Sequence, residues 1–369
     1  MNPNILAQMI NIGMEVECMN GQKRIRDYGI VIGNMTPGER NSITDVAGVR
    51  VGHITLDEGD IKTGVTAIIP HEGNMFKEKL VASSHVINGF GKSTGLVQIE
   101  ELGTLETPII LTNTLSVGTA WEALARYMLI DNLDIGKKAG TVNPVVCECN
   151  DGYLNDIRGL HIKGEDIFKA IENANVDFLE GSVGAGRGMV CYDLKGGIGT
   201  ASRKVNLNNR EYTIGVLVLT NFGSLENLTI DGSKIGKKII ALKENANENK
   251  EDKGSIITIL ATDIPLSDRQ LKRVIKRVYP GISRTGSTTG TGSGEIVIGF
   301  STANRINHYE AEDVLSLEVI NENKINRIFN GAAEATEEAI FNSLICADTT
   351  TGVDGHIIYS LKEYIDKVL

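Results

Sequence analysis

The chain alternates short apolar segments with segments of helical periodicity, which limits it to folds containing both element types. The segment 107–114, TPIILTNT, has the composition of a strand buried on both faces, and 212–220 reads as a longer apolar strand. Further strands are predicted within 43–57, 64–70, 143–151, 256–262 and 295–304. The pattern predicts one α+β domain whose strands lie between layers of helices.

Helical periodicity recurs at 116–130, 267–278 and within 156–174 and 330–347. The first helix should begin at a Ser116 cap and bury one face, consisting of Val117, Trp121, Leu124, Ala125 and Met128. Residues 1–25 read as a short helical extension, and the acidic, amide-rich segment 243–253 reads as an internal linker.

The net charge and the lack of targeting segments argue against several classes of function. The formal net charge of −10 argues against nucleic acid, which needs a basic footprint. The basic run 269–277 has the spacing of an ordinary amphipathic helix. The N-terminus has no basic region followed by an apolar core, and no segment approaches the roughly 20 apolar residues of a membrane span. We expect a cytoplasmic protein without membrane partners.

Metal and cofactor chemistry find little support in the residues. The six histidines are scattered, and the five cysteines are odd in number and form no CxxC pair. The CEC at 147–149 lies in an apolar strand, where cysteine commonly serves as a small buried hydrophobe. The glycine-rich loops 89–95 and 181–188 lack the spacing of phosphate loops, so they are interpreted as turns or as loops near a substrate. We expect neither a metal nor a cofactor.

An abrupt change of character occurs in KEDKGSIITIL, where a charged run meets an apolar strand through Gly254 and Ser255. One interpretation is an ordinary strand start, because Gly-Ser is common turn chemistry. The other is that Ser255 becomes the first residue of a new chain. An α-amino group has a pKa of about 7.7–8, so such a serine carries its own base. The serine could expose that amine by attacking the carbonyl of Gly254, if the upstream loop can move away.

Several separate blocks then resemble one family. They are GSIITILATDIPLSDRQLKRV at 254–274, SRTGSTTGTGSGEIVIGFSTAN at 283–304 and RIRDYG with TPGERNSITDVAGVRVGH within 24–53. In this order they resemble the L-aminopeptidase/D-amidase-esterase and β-peptidyl aminopeptidase family of self-processing N-terminal-nucleophile serine hydrolases. The resemblance implies a four-layer αββα sandwich, a fold shared with the ornithine acetyltransferases. It covers residues 24–369 as one domain and leaves 1–23 as an extension.

The family motifs also imply roles for particular residues. Ser255 matches the nucleophile and Gly254 the residue before the cleaved bond, which would give a large chain 1–254 and a small chain 255–369. The family's GSG[DE] motif falls on Ser293 and Glu295, where an ionised glutamate could orient the serine beside the Ser255 amine. Taken without the resemblance, the glycine-rich run around Ser293 favours a flexible turn.

Two further blocks imply groups that bind the substrate. LTNFG matches a block whose asparagine helps to hold the oxyanion, here Asn221, although an asparagine there could simply cap a turn. PVVCECNDGYLND matches a block whose glutamate suits the free ammonium of a substrate, here Glu148. Some relatives have a tyrosine two residues beyond that glutamate. This chain has Asn150 there, with Tyr153 nearby.

The resemblance therefore predicts an aminopeptidase or amidase that releases small N-terminal residues from short peptides, amides or esters through an acyl-enzyme on Ser255. Its processed chains should stay associated and assemble as a homo-oligomer, a tetramer of pairs. The alternatives are acyl transfer of the ornithine acetyltransferase type and an inactive, unprocessed homologue.

Overall fold

The computed structural model describes residues 21–243 and 254–369. The strands are β1 (Arg50–Glu58), β2 (Ile61–Ile69), β3 (Glu78–Gly89), β4 (Thr104–Leu105), β5 (Ile109–Asn113), β6 (Val145–Cys149), β7 (Val190–Cys191), β8 (Leu194–Lys195), β9 (Gly197–Leu207), β10 (Arg210–Asn221), β11 (Ser255–Thr262), β12 (Gly294–Asn307), β13 (Thr350–Thr351) and β14 (Ile357–Ile358). The helices are α1 (Leu96–Leu102), α2 (Val117–Asp131), α3 (Gly164–Glu172), α4 (Ile235–Leu242), α5 (Asp268–Ile275), α6 (Val278–Arg284), α7 (Asn326–Ile345) and α8 (Ile365–Val368).

Two large sheets form the centre of the described structure. The first has the order β1-β2-β5-β6, and the second has the order β4-β3-β12-β11-β10-β9. Strand β11 lies inside the second sheet, antiparallel to β10 and parallel to β12. Strands β3 and β12 are antiparallel, with register irregularities that include one directly after Glu295. The strand that begins at Ser255 is therefore hydrogen-bonded on both edges.

The side chains of β11 alternate between two cores, as the twofold period of a strand requires. Ile257, Ile259 and Ala261 join the apolar cluster that also contains residues of the four-stranded sheet. Ile256 and Leu260 join a second cluster that includes much of α7. By this alternation, Ser255 lies on the same face as Ile257, the face toward the other sheet.

Helices cover the outer face of each sheet. Helices α2 and α3 pack on the four-stranded sheet, whereas α5 and α7 pack on the six-stranded sheet. The resulting order of layers is helix, sheet, sheet, helix, which confirms the predicted αββα sandwich. Within the described ranges, no helix is long and apolar enough to cross a membrane.

The buried face of α2 differs from the predicted one. Trp121 is 43% exposed and Ala125 is only half-buried, whereas Ala120 and Ala123 are buried together with Val117, Leu124 and Met128. Small alanine side chains let the helix approach the sheet closely, and this turns the larger indole outward. Ser116 occupies the predicted N-cap position, but its side chain makes no capping bond. Instead, Asn113 Oδ1 accepts a hydrogen bond from the Ser116 N–H at 3.0 Å.

The predicted helix 267–278 is two helices, because α5 ends at Ile275 and α6 begins at Val278. Helix α6 continues through Gly281 to Arg284, into the start of the glycine-rich run that leads to Ser293. A Cβ atom on Gly281 would lie 2.5 Å from the carbonyl oxygen of Ala333, so this glycine serves close packing of α6 on α7. The predicted helical extension lies almost entirely outside the described residues, as does most of the linker 243–253.

A buried ion network ties the start of the described chain to the six-stranded sheet. Arg203 of β9 is fully buried and contacts Glu338 at 2.6 Å and Glu334 at 3.1 Å, both on α7. Arg26 contacts the same Glu338 at 2.6 Å. Burial alone would raise the pKa of Glu338, but the Arg26 hydrogen bond and the charge of Arg203 lower it below its usual value.

Candidate active site

Strand register aligns the ends of four neighbouring strands in the six-stranded sheet. Ser255 at the start of β11 pairs with Asn221 at the end of β10 and with Gly294 at the start of β12. Gly294 pairs in turn with Gly89 at the end of β3. The structure thus brings Ser255 and Asn221 together, although 34 positions separate them in the sequence. Ser255 is 8% exposed, so it is nearly enclosed.

The bond before Ser255 lies in a tightly packed place. A Cβ atom on Gly254 would lie 1.9 Å from the carbonyl oxygen of Asn221 and 2.4 Å from Cα of Phe222. The backbone φ of Gly254 is not in the left-handed region. Glycine is therefore needed here for space and not for an unusual backbone conformation. The Gly254 carbonyl oxygen accepts a hydrogen bond from the Gly294 N–H at 3.1 Å.

Ser293 and Glu295 flank Gly294 and contact each other. The Ser293 hydroxyl donates a hydrogen bond to Glu295 Oε1 at 2.5 Å, and both residues are fully buried. A hydrogen bond from a hydroxyl to an ionised carboxylate is charge-assisted, and such bonds are stronger than those between neutral groups. With its proton directed at Glu295, the Ser293 oxygen presents its lone pairs to other donors.

The turn before Ser293 is held by Asn88, a residue that the sequence did not single out. Its Nδ2 donates to the carbonyl oxygen of Gly290 at 3.2 Å and to that of Ser293. The Ser293 N–H donates to the Gly290 carbonyl at 3.0 Å. Asn88 pairs with Glu295 across β3 and β12, a relation that only sheet register reveals.

The Asn221 side chain has a defined orientation. Its Oδ1 accepts a hydrogen bond from the Val190 N–H at 2.9 Å, and its Nδ2 donates to the Asn150 carbonyl at 3.1 Å. These two bonds fix which end of the amide is nitrogen. An amide nitrogen carries two hydrogens, so Asn221 retains the capacity for a second donation.

Glu148 lies on β6, and its surroundings are polar although it is only 4% exposed. Its Oε1 accepts a hydrogen bond from the Lys92 N–H at 2.8 Å, and its Oε2 accepts one from the Thr114 hydroxyl. The neighbouring Cys149 Sγ contacts the Leu219 carbonyl at 3.7 Å, which places the end of β6 against β10. The Asn150–Asn221 bond joins the same two regions.

The cysteines of β6 are confirmed as buried hydrophobes. Burial raises the pKa of Cys147 to about 12 and that of Cys149 well above its usual value. Thiols with such pKa values are poor nucleophiles at neutral pH. In the described part of the chain, no group of three or more His, Cys, Asp or Glu residues is placed to hold a metal ion.

The tyrosine position and its surroundings differ from the family pattern. Asn150 is exposed, and its Oδ1 accepts a hydrogen bond from the Gly152 N–H at 2.9 Å. Tyr153 stacks on His356 with ring centroids 4.4 Å apart.

Asp151 is fully buried, and Asn155 donates to its Oδ1 at 3.0 Å. Burial raises the pKa of Asp151 to about 6. Sequence reasoning missed Asp151, although it lies in the same motif block as Glu148.

Comparisons with known proteins agree with this geometry. The family described as Peptidase family S58 matches residues 41–358. Beta-peptidyl aminopeptidase BapA of Sphingosinicella microcystinivorans is 40% identical over 92% of this chain and 89% of its own length. The protein of the same name from Sphingosinicella xenopeptidilytica is 37% identical over 92% of this chain and 88% of its own.

Solved structures agree over nearly the whole chain. The PH0078 protein of Pyrococcus horikoshii OT3 has a TM-score of 0.89 and 51% identity, covering 94% of this chain and 98% of that one. A Burkholderia sp. beta-aminopeptidase has a TM-score of 0.85 and 37% identity, with coverages of 94% and 99%. The L-aminopeptidase D-Ala-esterase/amidase of Ochrobactrum anthropi, described as a variant of the Ntn hydrolase fold, has a TM-score of 0.84 and 35% identity, also with coverages of 94% and 99%. The chain therefore belongs to peptidase family S58 and is a serine aminopeptidase or amidase with the fold of the N-terminal-nucleophile hydrolases.

Proposed function

We propose that this chain is a precursor that cleaves itself between Gly254 and Ser255 and then uses Ser255 as its nucleophile. The observation that carries the proposal is the aligned row of Asn221, Ser255 and Gly294, with Ser293 and Glu295 on either side of Gly294. This row combines a hydroxyl, a backbone donor, an amide donor and a buried serine–glutamate pair. These are the groups that acyl transfer through a serine requires.

Cleavage begins when Ser255 Oγ attacks the carbonyl carbon of Gly254. The hydroxyl proton passes to the departing nitrogen, the C–N bond breaks, and an ester joins Gly254 to Ser255. Water then hydrolyses the ester, leaving a carboxylate on Gly254 and a free amine and hydroxyl on Ser255. The Gly294 N–H, 3.1 Å from the Gly254 oxygen, supports this step because it polarises the carbonyl and stabilises negative charge on its oxygen.

The freed Ser255 amine then acts as general base for each turnover. Neutral amine takes the proton of Oγ as Oγ attacks the substrate carbonyl, and it returns the proton to the leaving amine. The Ser293 oxygen, whose own proton is directed at Glu295, is suited to accept an N–H of that amine and orient its lone pair. Water releases the acyl group in the second half of the cycle.

Substrate binding uses two further groups. Asn221 Nδ2 donates its second N–H to the oxyanion, since its first is held by the Asn150 carbonyl. Glu148 accepts hydrogen bonds from the free ammonium of the substrate, because each carboxylate oxygen can accept more than the single hydrogen bond it receives here. The products are small N-terminal residues released from short peptides, amides or esters. Since two relatives are named beta-peptidyl aminopeptidases, we include β-amino residues among them.

Intact mass and N-terminal sequencing of the purified protein test the proposal. We expect two chains whose masses sum to the precursor plus one water, with the smaller chain starting at Ser255. Ser255→Ala should remain uncleaved and should not hydrolyse L-, D- or β-aminoacyl p-nitroanilides. Thr258→Val, which removes a hydroxyl from the same strand, should cleave and hydrolyse normally. An active protein that remains one chain would refute self-processing.

Incubation with an acyl donor and either ornithine or water as the acceptor, together with the assays above, separates the alternatives. Transfer of an acyl group to ornithine in preference to water would identify an acetyltransferase-type activity. A purified protein that neither cleaves nor hydrolyses would identify an inactive homologue.

We further propose that the processed pairs form a cytoplasmic homo-oligomer, a tetramer of pairs. Native mass spectrometry of the processed protein tests the assembly, and a mass of one pair would contradict it. Fractionation of cells that express the full chain tests the location.

A further inference from the structure

The segment 89–95 connects the two sheets at the end where Ser255 lies, and we call it the bridging loop. It starts at Gly89, which pairs with Gly294 in the six-stranded sheet. Near its end, the Thr94 N–H donates to the Val146 carbonyl of β6 at 2.8 Å. The loop therefore spans from the strands around the nucleophile to the strand that carries Glu148.

The main chain of the bridging loop touches both parts of the candidate site. The Lys92 N–H donates to Glu148 Oε1 at 2.8 Å. On the other side, a Cβ atom placed on Gly294 would lie 2.5 Å from the Phe90 carbonyl oxygen and 3.5 Å from Ser255 Oγ. The main chain at residue 90 therefore lies beside Gly294 and Ser255, and the main chain at residue 92 lies beside Glu148.

The side chains at these two positions are exposed and contact each other. Phe90 is 62% exposed, and Lys92 Nζ lies 4.9 Å from the centre of its ring. A cation–π contact of this kind restrains the ammonium without neutralising its charge. The loop thus holds a positive charge near the site of a protein whose formal net charge is −10.

We propose that Lys92 binds the carboxylate at the far end of a short peptide substrate, with Phe90 holding its side chain in place. This inference rests on the proposed function, in which Glu148 binds the substrate ammonium. Two extended residues span roughly 7 Å, a distance that a lysine side chain can match when its own N–H is bonded to Glu148. The preferred substrates are then dipeptides with a free C-terminal carboxylate, and C-terminal amides bind more weakly.

Steady-state kinetics on a dipeptide and its C-terminal amide test the inference. Lys92→Gln keeps the main-chain bond to Glu148 and removes only the charge. We expect it to raise KM for the free acid about fivefold, and to leave KM for the amide and both kcat values unchanged. Because salt screens exposed charges, added salt should raise KM of the wild-type protein for the acid and have little effect on Lys92→Gln.

Lys77→Gln is the matched control, because Lys77 is also exposed but precedes the opposite end of β3. It should behave as wild type toward both substrates. Normal self-cleavage and an unchanged thermal midpoint of Lys92→Gln would show that this variant folds. Equal KM values for acid and amide in the wild-type protein, or an unchanged KM in Lys92→Gln, would overturn the role of Lys92 while the proposed function stands. A wild-type protein that hydrolyses neither substrate would overturn both.

Discussion

At the scale of single residues, the absence of a side chain at Gly254 keeps the candidate scissile bond in place. The backbone of Asn221 and Phe222 occupies the space that a Cβ atom would need. Backbone atoms cannot rotate away as a flexible side chain can, so any larger residue must displace the end of β10. That displacement would move the Asn221 amide and lengthen the Gly294 bond to the scissile carbonyl.

We therefore expect Gly254→Ala to slow self-cleavage by about a hundredfold, the cost of misplacing reacting groups by about 1 Å. A time course of precursor and products on a denaturing gel measures the rate. Gly118→Ala is the control, because a Cβ atom on that glycine would contact nothing within 4 Å. Cleavage of Gly254→Ala at the wild-type rate would show that the crowding has no role.

The Ser293–Glu295 pair gives a second prediction at this scale. If the two residues act as one unit, removing either member should cost as much as removing both. We expect Ser293→Ala and Glu295→Gln each to slow self-cleavage about a hundredfold, and the double variant to be no slower than the slower single variant. Intact mass spectrometry measures the cleavage rates of the wild type, the two single variants and the double variant, which together form a double-mutant cycle. Multiplied effects in the double variant would mean that the residues act independently.

At the scale of secondary-structure elements, α7 and β9 bury charged residues at their interface, where a sequence pattern predicts apolar residues. Arg203 and Glu338 are both fully buried, and removing one partner leaves the other charge unpaired. The network also includes Arg26, so it fixes the start of the described chain against the sheet.

Glu338→Gln should therefore destabilise the fold by about 3 kcal/mol at pH 7. The folded pKa of Glu338 is lowered, so its stabilising effect is complete above the unfolded pKa of about 4.3 and is lost as pH falls through the folded pKa. The difference between variant and wild type should accordingly shrink in acid. Urea midpoints at fixed protein concentration, at pH 7 and in acid, measure it.

The control for this prediction is Glu122→Gln, because Glu122 is 63% exposed and pairs with Arg126 on the surface of α2. It should change stability by less than about 0.5 kcal/mol. A Glu338→Gln variant as stable as this control at pH 7 would mean that Arg203 is satisfied by its other partners.

Elements with continuous apolar runs were predictable, whereas those stabilised by distant polar partners were not. The apolar runs of β5, β10 and β11 predict buried strands directly, because burial on both faces requires apolar residues throughout. Strand β9 gave no such signal, since the charge of its buried Arg203 is matched by Glu334 and Glu338, each more than 130 positions away. Likewise Asn88 and Lys92 join the site through sheet register and loop path. The roles proposed for Ser255, Ser293 and Glu295 came from family motifs, because the residues alone favoured an ordinary strand start and a flexible turn.

At the scale of the whole molecule, the proposed cleavage site separates two parts of the sequence that share one sheet. Residues 255–369 contribute β11 and β12, two inner strands of the six-stranded sheet. Both flanking strands, β10 and β3, belong to residues 1–254. A cut before Ser255 therefore leaves two full hydrogen-bonded ladders between the products, besides the apolar contacts of both cores.

We expect the two chains of the processed protein to remain together until the whole domain unfolds. Native size-exclusion chromatography should give one peak that contains both chains, at the same volume as the uncleaved Ser255→Ala variant. In urea, loss of the association should coincide with loss of secondary structure, because the inner strands cannot leave without opening both cores. Chains that separate under native conditions, or before the circular dichroism signal changes, would contradict this. Such a result would mean that β11 and β12 are held less firmly than their central position implies.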